Sequence, residues 1–223
     1  MSRSAVRRWG AGTAAIARLL IAADTPLTGV AIADAVGVSQ PRASQVLKQL
    51  VEQQAVRATE QGYVGRPAQL LDLYSRRARP LLVQPETYWY STRPMAKQAR
   101  RIVEASHKPR TPIAFSADLA PDLIVPWRHP TLTVIYTAEP LQLDTAGLVP
   151  AEGRADASVI LRWTSDDGLL SPAGAWPSAV DDIPLTDPVQ QWWDLLDLGG
   201  EDRREAADRL RRAIVDHTIP SAA

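Results

Sequence analysis

The chain contains no cysteine, which excludes disulfides and thiolate metal sites and permits life in a reducing cytoplasm. Histidine is nearly as scarce. The three present, His107, His129 and His217, are too scattered to build a histidine-rich metal centre. No apolar run reaches the roughly 20 residues that a membrane-spanning helix needs. The nearest candidate starts at Arg7-Arg8 and runs through Ala14-Ala15-Ile16-Ala17 to Leu19-Leu20-Ile21-Ala22-Ala23, an order that mimics a secretory leader. Arg18 interrupts it, however, and its apolar residues keep helical spacing, so the segment reads as the first helix of a folded domain. Catalytic signatures are also missing. There is no Walker loop, no Gly-x-Ser-x-Gly elbow and no His-Glu-x-x-His. The adjacent acids Asp166-Asp167 and Asp181-Asp182 sit among glycine, proline and serine and read as solvated loop residues. Ser116 with His107 or His129 lacks the local pattern of a hydrolase. The expectation is a cytoplasmic protein that is not an enzyme and uses no cofactor and no metal.

What is present is a charge division hidden by a net charge of zero. Through Arg110 the chain carries 17 Lys and Arg against 7 Asp and Glu, or +10; from Thr111 onward it carries −10. The first part suits a polyanion and the second repels one.

Residues 12–24 read as a helix with Ile16, Leu19, Leu20 and Ala23 on one stripe. Thr28 caps a short helix over 29–36, which Gly37 ends. Ser39 caps a longer helix that tolerates Pro41 in its first turn. Ala43, Val46, Leu47, Leu50 and Val51 form its one-faced core stripe. Residues 56–59 and 68–74 read as two strands, with 60–67 as the hairpin loop between them. This order is that of a winged helix-turn-helix. The fold expectation is therefore α+β: a winged helix-turn-helix over 1–80, a connector with a basic helix over 81–110, and a small acidic mixed α/β domain over 111–223. Lys108-Pro109-Arg110-Thr111-Pro112 marks a break after the basic helix. The acidic part begins with a strand at Ile113-Ala114-Phe115 and a helix from Ser116 to Ile124. Strands at 132–137 and 157–163 follow, then helices over 187–198 and from Glu201 to about His217, with a frayed tail beyond.

In a helix-turn-helix the second helix enters the major groove by its N-terminal end. Here that end carries Gln40, Arg42, Ala43, Ser44 and Gln45. Glutamine pairs bidentately with adenine and arginine with guanine. Ser39, Ser44 and Lys48 are better placed for phosphates. Tyr63 and Arg66 belong to the wing, where Gly65-Arg66-Pro67 reads as a restricted presenter of arginine to a narrow minor groove. Double-stranded DNA is the expected partner.

The segment SQPRASQVLKQL followed by GRPAQLLDLY resembles the reader heads of bacterial regulators of the multiple-antibiotic-resistance and arsenic-repressor types. Three further stretches, IAFSADLAPDLIVPWRHPTLTVIY, LVPAEGRADASVIL and IPLTDPVQQWWDLLDLGGEDRREAADRLRRAI, resemble the C-terminal part of AbiEi-type antitoxins. That family pattern usually has Ser-Gly where this chain has Ser116-Ala117, and often Pro-Gly-Arg-Gly where it has Leu198-Gly199-Gly200-Glu201. The resemblance implies a transcriptional repressor that acts on its own promoter through inverted repeats. It also implies a C-terminal domain that counteracts a nucleotidyltransferase-like toxin. Trp192-Trp193 point about 100° apart on a helix, which would leave one of them at the core edge as an anchor for a protein partner. A regulator that senses a small ligand, and an enzyme with a DNA-binding head, are the readings from other classes.

Overall fold

The computed structural model describes residues 8–80, 82–107, 110–127, 129–174 and 176–220. Arg7, the Lys108-Pro109 part of the expected break and the last residues of the expected frayed tail lie outside them. The protein is an α+β chain of two compact units. The first holds the chain up to residue 81 with the short segments 173–175 and 214–218, and the second holds the remainder.

The first unit begins with α1 (Ala11–Ala22), whose inward stripe buries Ile16, Ala17, Leu20 and Ile21. Arg18 is buried as well, and its guanidinium donates to the Tyr74 hydroxyl at 3.2 Å. The charge that breaks the apolar run is thus accommodated inside the unit. In α2 (Gly29–Val36), Thr28 Oγ1 accepts from the Ala31 amide at 3.1 Å. Gly37 closes the helix in the left-handed region (φ 70°), and its amide bonds back to Ala33 and Asp34 carbonyls. Few residues besides glycine adopt this conformation without strain. The next helix is α3 (Gln40–Glu52), which buries Ala43, Val46, Leu47 and Leu50. Ser39 stands at its N-cap position without a side-chain cap bond.

The hairpin lies elsewhere than the sequence pattern suggests. β1 (Val56–Thr59) pairs antiparallel with β2 (Gly62–Gly65), so the turn is Glu60-Gln61 and the expected loop is itself a strand. The expected second strand is a helix, α4 (Pro67–Arg77). Pro67 sits in its first turn, and Leu70, Leu71 and Tyr74 fall on one buried stripe at helical spacing. The run Leu70-Leu71-Asp72-Leu73-Tyr74 is too short for its period to be separated from that of a strand by composition. Leu27 joins the hairpin as a bridge, exchanging both backbone bonds with Tyr63 at 3.0 and 2.8 Å.

The second unit is built on a five-stranded mixed sheet. Its strands are β3 (Thr87–Tyr90), β4 (Ile113–Ser116), β5 (Thr133–Thr137), β6 (Val149–Pro150) and β7 (Val159–Trp163), in the order β4-β5-β7-β3-β6. Only β5 and β7 run parallel; the other neighbours are antiparallel. β4 and β5 are buried along their whole length and β7 along all but its last residue. Such strands lose the alternating pattern of a half-exposed sheet and read as continuous apolar runs. Ala117, Leu132, Val134, Tyr136, Ile160 and Leu169 form one core cluster. The stretch 81–110 is not a connector: β3 lies inside this sheet, and α5 (Met95–His107) buries Met95, Ala99, Ile102 and Val103. Thr87-Tyr88-Trp89-Tyr90 has strand composition, but it is flanked by Pro85 and Pro94, which masked it. The remaining elements are α6 (Leu119–Ile124), α7 (Asp167–Leu170), the hairpin of β8 (Ala179–Val180) and β9 (Ile183–Pro184), α8 (Pro188–Leu198) and α9 (Glu201–Val215). Asp181 and Asp182 are the two exposed, positive-φ residues of the β8–β9 turn. Asp166 is not a solvated loop acid. It is buried and caps α7 through the Gly168 amide.

Two glycines fix the first hairpin. A Cβ on Gly62, where φ is 134°, would lie 2.4 Å from the Leu27 carbonyl oxygen. A Cβ on Gly65 would lie 2.2 Å from that of Leu20. Both close approaches are to backbone, which cannot yield as a flexible side chain does. Gly65→Ala should therefore destabilise the protein by about 1–3 kcal/mol, the usual cost of overpacking. Gly153→Ala, which meets nothing within 4 Å, should change it by no more than about 0.5 kcal/mol. Thermal denaturation of the two variants against the parent checks the contrast.

Candidate functional site

The charged and amide side chains at the start of α3 share one outward face. Gln40, Arg42, Ser44, Gln45 and Lys48 are all exposed, as is Ser39 before them. No acidic residue occurs between Ser39 and Lys48. Ala43 is fully buried and belongs to the core stripe, so it cannot reach a base edge as expected from sequence. Helical spacing explains the split, since residue 43 shares its face with 46, 47 and 50. Arg42 is held on both sides: its guanidinium donates to Gln45 Oε1 at 2.9 Å and to Thr13 Oγ1 at 3.2 Å. Two neutral acceptors orient the group and leave its positive charge uncompensated.

The expected wing residues are placed differently. Tyr63 is half-buried in β2, tied to Leu27 through its backbone. Arg66 is exposed but stands at the N-cap of α4, with its guanidinium on the Gln54 carbonyl at 3.3 Å. It is therefore not carried on the hairpin tip, which is Glu60-Gln61. The reason is the shift of the hairpin toward the N-terminus described above. Arg57 in β1 is the exposed cation of the hairpin that the sequence reading did not single out.

The second unit hides a polar network that the sequence reading missed. Arg162, on β7, is buried, and each of its guanidinium nitrogens meets a carboxylate. Nε lies 2.9 Å from Glu86, Nη1 2.6 Å from Asp194 and Nη2 2.8 Å from Asp197. Asp194 is fully buried on α8 and also accepts from the hydroxyls of Ser116 and Tyr136. Tyr136 in turn accepts from Gln190 at 3.0 Å. Burial, with the Asp194 charge beside it, pushes the Tyr136 pKa well up, so its hydroxyl stays protonated as a donor. Burial likewise raises the Asp194 pKa, against the opposing pull of Arg162 and its hydroxyl donors. Arg154 extends the network to the surface, 2.6 Å from Glu86. Two charged residues set in apolar surroundings, Arg162 within Val-Ile-Leu-Arg-Trp and Asp194 within Trp-Trp-Asp-Leu-Leu, were the signal that could have exposed it.

The network holds elements together and reaches the surface at Arg154 and Asp197. Neither His107 nor His129 is among the partners of Ser116. Among the described residues, no group of three His, Cys, Asp or Glu is arranged to hold a metal. An open cleft of about 540 Å³ lies beside the network, lined by Thr131, Leu132, Arg154, Leu198 and Arg203 among others. Both of its arginines are engaged, Arg154 with Glu86 and Arg203 with Asp118 at 2.7 Å.

The tryptophan expectation is overturned. Trp192 and Trp193 are only 4% and 6% exposed, because α8 is buried on nearly every side from Pro188 to Leu195. The exposed tryptophan of the second unit is Trp127, at 39%, with the Arg209 guanidinium stacked 3.4 Å from its ring centre. No helix among the described residues is long and apolar enough to cross a membrane. Compared with known proteins, the chain matches no family model, no curated protein and no solved structure.

The network makes a pH-dependent contribution with a definite sign. Burial alone would raise the Glu86 pKa, but the Arg154 hydrogen bond and the Arg162 charge outweigh it and hold it below its ordinary value. A carboxylate with a depressed folded-state pKa stabilises the fold above its unfolded pKa, and that contribution disappears as pH falls through the folded one. Stability should drop as pH falls below the ordinary value of 4.5. Glu86→Gln should be less stable at neutral pH and lose less on acidification. Urea melts at pH 7 and pH 3.5 test this; parallel acid losses in both proteins would remove Glu86 from the network's electrostatics.

Proposed function

We propose that this chain is a sequence-specific DNA-binding transcriptional regulator whose first unit is a winged helix-turn-helix. The observation that carries the reading is the outward face of α3. Glutamine, arginine and lysine side chains line it from Gln40 to Lys48 without an acid, on a helix whose other face is locked into a core. In this reading α2, the Gly37 turn and α3 form the helix-turn-helix that sets α3 into a major groove, with β1–β2 as the wing. In this reading Gln40, Arg42 and Gln45 contact base edges, while Ser39, Ser44 and Lys48 contact phosphates. Arg57 and Arg66 add positive charge on the hairpin and beside it. The +10 charge of the chain through Arg110 supports the same partner.

The narrower reading is an autoregulating antitoxin, a repressor acting in the cytoplasm on inverted repeats at its own promoter. Its second unit would meet a basic, nucleotidyltransferase-like toxin. The resemblance of the C-terminal stretches supports it, as does the −10 charge from Thr111 onward. With Trp192 and Trp193 enclosed, the aromatic–cation pair Trp127–Arg209 replaces them as the anchor, since tryptophan and arginine dominate interface energetics. The cleft beside Arg154 and Arg203 favours a second reading, a regulator that senses a small ligand.

Gel shifts on the chain's own upstream region test the DNA reading. Gln45→Ala should weaken operator binding by about 1–3 kcal/mol and leave random duplex unaffected. Lys48→Ala should weaken both equally and reduce the log–log salt slope by about 0.9. Binding that is independent of salt, or variants indistinguishable from the parent on both duplexes, would defeat the assignment.

A further inference from the structure

Helix α5 presents a second cationic face, on the unit that is otherwise acidic. Met95, Ala99, Ile102, Val103 and Ser106 are turned into the core. At 100° per residue the opposite face falls to Lys97, Arg100, Arg101, Glu104 and His107, all exposed. Arg93 just before the helix and Arg110 just after it are exposed too.

How these cations are partnered sets them apart. Arg154, Arg162 and Arg203 of the same unit are each paired with carboxylates. Among the described residues, Arg93, Lys97, Arg100 and Arg101 have no carboxylate within 4.0 Å. Arg93 donates to the Gly147 carbonyl at 3.1 Å and Arg101 to that of Ala146 at 2.9 Å. Both clamp the loop before β6 through neutral acceptors, so their charge remains available. Lys97 and Arg100 take no part in that clamp. Glu104, the one acid on this face, forms no ion pair within 4.0 Å among the described residues and is outnumbered by the cations around it, whose mutual repulsion makes the face costly unless an anion covers it.

We propose that this face of α5 is a second phosphate-binding surface, one that takes the sugar–phosphate backbone of duplex DNA. The inference depends on the DNA reading above and assigns the second unit a part in it. The chemistry favours a nucleic-acid backbone over an acidic protein. The face has cations, one acid (Glu104) and no aromatic or large apolar anchor, whereas protein interfaces centre on such anchors. Phosphate contacts need charge and reach alone. Lacking base-reading geometry, α5 adds affinity without sequence preference. It also offsets the repulsion that the acidic remainder of the unit exerts on DNA.

The test uses the full chain, a duplex from its own upstream region, a random duplex and poly-L-glutamate. In Lys97→Gln/Arg100→Gln the loop-clamping Arg93 and Arg101 stay in place, and an unchanged thermal melt shows that the fold is intact. The variant should lose affinity for both duplexes by the same factor, and its log–log salt slope should fall by about 1.8, or 0.9 for each lost contact. Gln45→Ala, run beside it, should affect the operator alone. If Gln45→Ala loses operator binding while the α5 variant keeps the parent's affinity and slope, the inference is overturned and the DNA reading stands. Failure of the parent to bind either duplex overturns the reading itself, and the inference with it. Poly-L-glutamate bound by the parent as tightly as duplex would overturn the backbone assignment.

Discussion

The second unit depends on one buried ion pair. Arg162 on β7 and Asp194 on α8 meet at 2.6 Å where neither has access to water. Desolvating two charges costs several kcal/mol each, and their attraction offsets that only when the remaining donors and acceptors are also satisfied. Here those remaining donors and acceptors have partners. Glu86 and Asp197 take the other nitrogens of Arg162, and Ser116 and Tyr136 donate to Asp194. The pair therefore specifies which strands and helices belong together: β4 through Ser116, β5 through Tyr136, β7 through Arg162 and α8 through Asp194. Removing one partner would strand the other inside the core, at a cost of about 3–5 kcal/mol.

This constraint reaches the loop before β3, because Glu86 is part of the network. A stretch that could have been a linker is held into the sheet, and α5 follows from it. Arg93 and Arg101 then fix the loop leading to β6 from the other side. The unit uses arginine in two ways. Arg154, Arg162, Arg203 and Arg209 are paired with carboxylates, whereas Arg101 on α5 bonds to a carbonyl and Arg100 stands apart from that clamp.

The first unit relies on close backbone approach instead of buried charge. Gly65 lets β2 lie against the end of α1, and Gly62 lets it lie against Leu27. The three helices bury their aliphatic stripes on one another, and that packing turns the polar half of α3 outward. Arg42 illustrates the link from packing to function. Its bond to Thr13 on α1 means that the pose of this exposed side chain, the proposed base reader, is set by a neighbouring helix. Charge distribution separates the two parts of the chain: cations predominate through Arg110 and acids from Thr111 onward.

Periodicity in the sequence sufficed for α1, α2, α3, α5, α8 and α9, whose apolar stripes repeat over two turns or more, helped at α2 and α8 by the caps of Thr28 and Asp187. It also sufficed for β4, β5 and β7, as apolar runs, and for the exposed candidates on α3. It did not suffice for the hairpin or for α4, because four- to seven-residue runs carry no unambiguous period. Nor did it suffice for β3, hidden between prolines, or for Ala43, Trp192 and Trp193. Their exposure is a property of what packs against them, and α8 is enclosed on faces that its own pattern leaves polar. The Arg162 network is the clearest case of what tertiary structure alone decides. Its members lie between residues 86 and 197, and only the sheet order brings them within hydrogen-bond distance. Sequence records that a charge sits in apolar company; which opposite charge meets it depends on how the strands are ordered in space.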